Sequence, residues 1–190
     1  MHRRSFILAS SSIALAVLSG CVTPEGTSVS EKRDAVQRMR VDTLATLYVI
    51  NPEAKGQIEK AAGYGVFSNV GINLILLSAG SGWGVVRDNG TGKDVYMKMI
   101  SGGLGLGLGV KDFRGVFVFT SGDAMKSFVE GGWDASAQAD LAAKAGDKGG
   151  AFAGAIDVAP GIKLYQLTEN GLALQATIQG TKYWKDEELT

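Results

Sequence analysis

The sequence predicts an α+β fold: a single domain in which helices precede a strongly curved, barrel-like antiparallel sheet that contains an inserted helical segment. Three observations predict this class. Apolar residues recur at helical spacing between residues 30 and 62. From Tyr64 onward, short apolar runs alternate with glycine-rich breaks, which is typical of antiparallel strands. Glycine accounts for 27 of the 190 residues, about twice its usual share, and clusters inside the candidate strands.

The chain begins with a predicted export leader. Arg3 and Arg4 precede an apolar run from Phe6 to Leu18, which is followed by Ser19, Gly20 and the only cysteine, Cys21. A basic start, a short apolar core and small residues before a cleavage point are typical of a secretory signal. The apolar run is shorter than the ~20 residues that a transmembrane helix needs.

The segment Leu18-Ser19-Gly20-Cys21 resembles the lipobox of bacterial lipoproteins. That resemblance implies cleavage before Cys21 and lipidation of Cys21, which would anchor the protein covalently to membrane lipids. Val22, rather than aspartate, follows the cysteine, which by resemblance to Gram-negative sorting rules favours the outer membrane, facing the periplasm. An ordinary signal peptide with a chance cysteine is the alternative, and Arg3-Arg4 leaves a twin-arginine export route open beside the general one.

The predicted organisation has four parts. Residues 1–20 are the signal peptide, 21–30 a lipidated tether, 31–185 the folded domain and 186–190 a charged tail that we expect to fray. After loss of the signal, the chain has two fewer basic than acidic residues, because the leader carries two arginines and no acid. That balance argues against a nucleic-acid partner.

The mature domain also lacks histidine, since His2 leaves with the leader. With Cys21 lipidated, Ser-His-Asp and Cys-His catalysis and His/Cys zinc sites are excluded. We therefore expect a non-enzymatic protein with no catalytic residues, no cofactor and no metal. An enzyme that uses paired carboxylates is the less favoured alternative, with Asp134, Asp140 and Asp157 as candidates.

Helices are predicted over residues 30–50, 52–62, 123–130 and about 135–145. Ser30 would cap the first helix, Asn51-Pro52-Glu53 would begin the second, and Asp123 or Ser121 would cap the third. One face of the first helix is lined by Val36, Met39, Thr43, Leu47 and Ile50.

The first half of that first helix is basic. Lys32, Arg33 and Arg40 would contact anionic lipid headgroups if the helix lay on a membrane. A helix that packs against the core with its charges in solvent is the alternative, and Asp34 and Asp42 favour it because they dilute the positive charge.

Nine strands are predicted, over 64–69, 72–78, 82–87, 94–100, 103–110, 115–120, 151–158, 161–168 and 171–183. Asp88-Asn89-Gly90 and Glu169-Asn170-Gly171 are hairpin turns. A calcium site formed by Asp88, Asn89 and Asp94 is much less favoured than a polar hairpin loop.

Glycine alternates with leucine at Gly103, Gly105 and Gly107, so one face of that strand would be bare backbone. A strand face without side chains is favourable only where another group packs closely against the backbone. A packed helix or aromatic ring, a tightly curved sheet and an acyl chain are the alternatives.

Several segments, taken in order, resemble the SYLF domain family over roughly residues 45–185. These are Ala61–Phe67, Gly80–Arg87, Ser101–Gly109, Val116–Phe128, Tyr165, Gly171–Leu174 and Gly180-Thr181. The chain departs from the family at Leu172-Ala173-Leu174, where many members have Phe-Ala-Gly.

The SYLF resemblance implies a non-enzymatic domain. Eukaryotic members bind phosphoinositides and some bind actin, so affinity for anionic phospholipid is the property expected to transfer. Lys32, Arg33 and Arg40 would then contact headgroups, and the strand with Gly103, Gly105 and Gly107 would supply an apolar surface. A scaffolding lipoprotein that binds another envelope protein is the alternative.

Overall fold

The computed structural model describes residues 24–134, 154–168, 171–173 and 180–190, with the backbone alone for 71–78, 103–113, 168 and 171–173. In these ranges the chain forms one α+β domain built on a strongly curved antiparallel sheet, which confirms the predicted fold class. The elements are α1 (Val29–Ile50), α2 (Glu53–Lys60), β1 (Gly63–Asp88), β2 (Asp94–Phe119), α3 (Gly122–Glu130), β3 (Trp133–Asp134), β4 (Ile156–Ala159), β5 (Ile162–Thr168), β6 (Gly171–Ala173) and β7 (Thr181–Lys185).

The leader, Cys21 and the predicted helix 135–145 lie outside the described residues. Among the helices that the structure describes, none has both the length and the apolar character needed to cross a membrane.

The sheet is organised around one long hairpin. Strands β1 and β2 pair from Gly63↔Phe119 to Arg87↔Asp94 and close at the predicted turn after Asp88. Strands β5 and β7 pair with β2 at different points along its length, β4 and β6 pair with β5, and β3 pairs with β7. The prediction of a hairpin near Gly171 is confirmed, since Thr168 pairs with Gly171 across β5 and β6.

The prediction of six short strands between residues 64 and 120 is wrong, because β1 and β2 are each continuous over 26 residues. A straight strand of that length would be roughly 85 Å long, which exceeds the width of a domain of this size. The hairpin must therefore bend, and a bulge lies between Ile75 and Leu77.

The bend brings the two halves of β1 against each other. A Cβ added at Gly82 would overlap the carbonyl oxygen of Ser68, and one at Gly84 would overlap that of Val66. Gly82 and Gly84 are therefore needed where the strand packs against its own backbone, whereas a Cβ at Gly80 would meet the side chains of Asn69 and Ser101. For this cluster, a tightly curved sheet is the explanation; the side chains that face Gly103, Gly105 and Gly107 lie outside the described ones.

The sheet separates two cores. The α1 core contains Val36, Leu47, Val66, Val116 and Tyr165, among others. The aromatic core contains the rings of Phe67, Phe117, Phe119, Phe128, Trp133 and Tyr183. Successive residues of β2 alternate between the two cores, as the pleat of a strand requires. Burial in the aromatic core raises the pKa of Tyr183.

Helix α1 begins one residue earlier than predicted because its cap is Ser28 rather than Ser30. The Ser28 hydroxyl accepts from the Glu31 amide at 3.2 Å, and the Glu31 carboxylate accepts from the Ser28 amide at 3.0 Å. The hydrogen bond from the Ser28 backbone is the largest of several that lower the pKa of Glu31 to about 2. The predicted inward face is confirmed at Val36, Met39, Thr43 and Leu47, whereas Ile50 is 43% exposed.

The other helices follow the prediction with shifted ends. Helix α2 ends at Lys60 rather than at residue 62, where the Asn89 amide donates to the carbonyls of Ile58 and Ala61 at 2.8 and 3.0 Å. The Ser121 hydroxyl caps α3, as one of the two predicted alternatives stated.

The C-terminal residues are not frayed. Leu189 is 1% exposed and belongs to the α1 core, and Asp186 is 2% exposed. The Asp186 amide donates to the Tyr96 carbonyl at 2.9 Å, and its carboxylate pairs with Lys98 at 3.0 Å. Residues 186–190 therefore form a strap, here called the C-terminal strap, that packs beside α1.

Candidate functional site

The structure places the basic residues of α1 in contacts with the rest of the domain. The Lys32 ammonium pairs with Glu188 of the C-terminal strap at 2.6 Å. The Arg33 guanidinium donates to the Leu189 carbonyl at 2.8 Å and lies 5.6 Å from the centre of the Tyr96 ring. Both residues are therefore engaged with neighbouring segments, and a lipid headgroup would have to compete with those contacts.

Arg40 is engaged in a different cluster, centred on the Asp94 carboxylate. Arg40 contacts Asp94 at 3.2 Å, and Arg87 makes a bidentate pair with the same carboxylate at 2.5 and 2.8 Å. The Gln37 amide donates to Asp94 at 2.9 Å. The Asp94 carboxylate thus joins the hairpin to α1 through Arg40 and Gln37, while Arg87 links it to the neighbouring strand β1.

The three residues of the less favoured calcium site make contacts within the protein instead. Asp94 contacts two arginines, and Asn89 caps α2. Asp88 accepts from the amides of Gly90 and Thr91 at 2.8 and 3.0 Å, and these bonds, led by that of Thr91, lower its pKa. The loop is the polar hairpin that the sequence favoured.

The carboxylates considered for catalysis each face a lysine where the structure describes them. Asp134 pairs with Lys182 at 3.1 Å, and Asp157 pairs with Lys163 at 2.6 Å. Asp140 lies outside the described residues. Within the described ranges, no group of three or more acidic, histidine or cysteine side chains is arranged to hold a metal ion.

A surface that the sequence analysis missed lies where β2 pairs with β7. Ile100 is 50% exposed and Trp184 is 42% exposed. Lys98 pairs in register with Trp184, and Ile100 pairs with Lys182, so the four side chains share one face of the sheet. We call these four residues the Ile100–Trp184 patch.

Basic groups surround the apolar pair of this patch. The Lys182 side chain is 63% exposed and pairs with Asp134, while Lys98 is 39% exposed and pairs with Asp186. Lys185 is exposed, but it pairs in register with Met97 of the aromatic core, so its side chain leaves the strand on the face opposite Trp184. Lys182 and Lys185 flank Tyr183-Trp184 in the sequence, and this was the available sequence signal for the surface.

The Ile100–Trp184 patch leads directly into the glycine-leucine segment. Gly102 donates its amide to the Gly180 carbonyl at 3.1 Å, and Gly180 has a φ of 72°, which glycine adopts readily. Beyond it, Gly103 pairs with Ser78 and Gly107 with Ile75. Gly105 lies in β2 between them, so the three predicted glycines continue the strand that carries Ile100.

No protein-family model matches this chain. The chain is 34% identical over 165 residues to beta cell expansion factor A of Aeromonas veronii, an alignment that includes 86% of this chain and 60% of that protein. The chain therefore spans less than two thirds of the length of this curated relative.

Proposed function

We propose that this chain is a lipid-anchored envelope protein whose domain binds anionic phospholipid through the Ile100–Trp184 patch. The observation that carries the proposal is the exposed tryptophan and isoleucine between lysines on one face of the sheet. Tryptophan favours the membrane interface because its ring is amphipathic, and lysines beside apolar side chains are typical of surfaces that lie on anionic membranes. The SYLF resemblance of the sequence supports the same ligand.

The electrostatic contributions of the lysines are sufficient for weak binding to an anionic membrane that depends on salt. Each lysine close to an anionic surface contributes about 1 kcal/mol. The ion pair between Lys182 and Asp134 is exposed, and such pairs contribute only about 0–1 kcal/mol. Phosphate groups can therefore compete with Asp134 for Lys182.

The proposed lipid surface differs from the α1 surface that the sequence predicted. Lys32, Arg33 and Arg40 remain candidates for headgroup contact, but each has a partner inside the domain that a lipid would have to replace. The Lys182 side chain is 63% exposed and less constrained. We therefore place the sheet face ahead of α1 as the contact with lipid.

A second candidate function is binding of another envelope protein, and a feature of α1 favours it. Val41 is 59% exposed and Val49 is 83% exposed, and with Ala45 they form a stripe at spacing i, i+4, i+8. Such a stripe, on a half-helix whose single charged residue is Asp42, fits an apolar partner surface.

Vesicle flotation tests the first proposal. The protein would be residues 22–190, because the described fold lies within them and neither the leader nor the lipidated Cys21 is then present. Vesicles of phosphatidylcholine with and without phosphatidylglycerol would be compared at low and high salt. We expect binding to the anionic vesicles that weakens as salt screens the charges.

Two variants locate the contact. Lys182→Glu should weaken binding roughly 30-fold, since the charge on the proposed face changes by two, at about 1 kcal/mol for each charge. Lys126→Glu makes the same change of charge at an exposed position of α3 and should change binding less than about threefold. Equal losses in both variants, or no vesicle binding by the parent protein, would refute the proposed surface.

A further inference from the structure

A groove of about 630 Å³ lies between α2 and the adjoining ends of β2 and β5. Its lining includes Gly56, Gln57 and Lys60 from α2, Val118 from β2 and Lys163 from β5. Small-molecule sites are typically 300–1,000 Å³ in volume and combine apolar walls with a few polar groups. The groove has the size and the composition of such a site.

Gly56 is the most informative residue of the groove. It lies inside α2, where glycine is the least favourable residue after proline. A Cβ added at Gly56 would meet no atom within 4 Å, and its φ lies outside the range that favours glycine. Gly82, by contrast, is required by the carbonyl oxygen of Ser68. Nothing within the described chain requires glycine at position 56, so the open backbone there suits a molecule that lies against the helix.

The charges of the groove are separated along α2. Glu53 lies in the first turn and Lys60 in the last, seven residues and therefore about 10 Å apart along the axis. Lys60 is exposed and forms no ion pair with a described residue. The Lys163 side chain is 15% exposed and pairs with Asp157 at 2.6 Å. The end of the groove near Lys60 is thus the cationic end.

Gln57 of the groove lining is held by a buried tyrosine. The Tyr165 hydroxyl donates to the Gln57 side-chain oxygen at 2.5 Å, and Tyr165 is fully buried. Burial raises the pKa of Tyr165, and the negative charge of Glu53 raises it further. This bond holds the Gln57 amide in place and leaves its nitrogen as a donor.

We propose that this groove binds a small organic anion with a short aliphatic body, its carboxylate or phosphate oxygens on Lys60 and its body against Gly56 and Val118. The site is distinct from the proposed lipid surface, because its lining includes no residue of the Ile100–Trp184 patch. Lys60 selects for negative charge, and the missing side chain at position 56 provides the room.

Calorimetric titration tests this site with octanoate, octyl phosphate and the neutral octyl glucoside, all below the concentrations at which they form micelles. The protein is the full chain with Cys21→Ser, so that every variant carries the same leader. We expect saturable binding of one or both anions. The affinities of octanoate and octyl phosphate then show whether the site prefers a carboxylate or a phosphate. We expect at least about tenfold weaker binding of the neutral compound, since charge-assisted hydrogen bonds are roughly twice as strong as neutral ones.

Three variants make the test specific. Gly56→Leu should abolish anion binding while raising the melting temperature, because leucine fills the open space and favours the helix. Lys60→Gln, at an exposed position, should weaken binding about tenfold through loss of a charge-assisted bond. Gly122→Ala, another helical glycine whose Cβ would meet nothing within 4 Å, should leave binding unchanged.

Several results would overturn the site. These are the absence of saturable binding by either anion, equal binding of octyl glucoside, and undiminished binding in a folded Gly56→Leu or Lys60→Gln protein.

Discussion

The two basic surfaces of this domain differ in what surrounds their charges. On α1, Lys32, Arg33 and Arg40 contact the C-terminal strap or Asp94. On the sheet, Lys182 lies beside exposed Trp184 and Ile100, and the ion pair it makes with Asp134 is exposed. The α1 cations connect parts of the fold, whereas the sheet cations are accessible to a ligand. A basic cluster in a sequence therefore indicates a binding surface only when the fold leaves it without an internal partner.

The largest loss of stability is expected from a change at Asp94, the carboxylate that Arg40 of α1 contacts. Asp94→Asn would leave the guanidinium groups of Arg40 and Arg87 half-buried without a counter-charge. We expect a loss of about 2–3 kcal/mol in the free energy of unfolding, less than for a fully buried pair because the Asp94 side chain is 18% exposed. Urea denaturation followed by circular dichroism measures it.

Asp157→Asn is the matched control for Asp94→Asn. Asp157 has one charged neighbour, Lys163, and its side chain is 33% exposed, so we expect a loss below about 1 kcal/mol. If the two variants were equally stable, Asp94 would not join α1 to the hairpin as described.

A smaller effect is expected from releasing Lys32. Glu188→Gln removes the partner of Lys32 and should change the free energy of unfolding by less than about 1 kcal/mol, because the Glu188 side chain is half exposed. Anionic vesicle binding at low salt should rise by up to about fivefold, the equivalent of one lysine at the surface. Flotation of the variant beside Glu187→Gln, an exposed neighbour without that ion pair, checks the result. A rise in both variants would indicate only the change in net charge.

The smallest effect concerns the beginning of α1. The pKa of Glu31 is about 2 in the folded protein against 4.5 ordinarily, so its contribution to stability is present above pH 4.5. That contribution falls as pH decreases towards 2. Glu31→Gln should lower the melting temperature at neutral pH, and the difference from the parent protein should vanish near pH 2. Melting curves across this range measure it, and a difference independent of pH would mean that the cap does not depend on the carboxylate charge.

Much of the local structure could be predicted from the sequence. Features that depend on residues close together in the sequence were predicted from periodicity and turn chemistry. These are the inward face of α1, the Ser121 cap, the turn after Asp88 and the hairpin before Gly171. The strand boundaries could not be predicted near glycine. Gly82 and Gly84 look like breaks in sequence, but they lie inside β1, where each avoids a carbonyl oxygen of the opposite half.

The residues of the candidate sites could be brought together only with the tertiary structure. Ile100 and Trp184 are 84 positions apart and meet only because β7 pairs with β2. Lys60 and Lys163 approach one groove because α2 packs across the ends of β2 and β5. No local pattern links these residues, since sheet pairing between distant segments brings them together.

The sequence alone determined the fold class, the absence of histidine from the domain and the expectation of a lipid anchor at Cys21, since each follows from composition or from adjacent residues. Only the tertiary structure decided which charges are available. Lys32, Arg33 and Arg40 look like a free basic surface in the sequence, but Glu188, Leu189 and Asp94 contact them in the fold. Electrostatic availability depends on distances across space, and the chain specifies those distances only after it has folded.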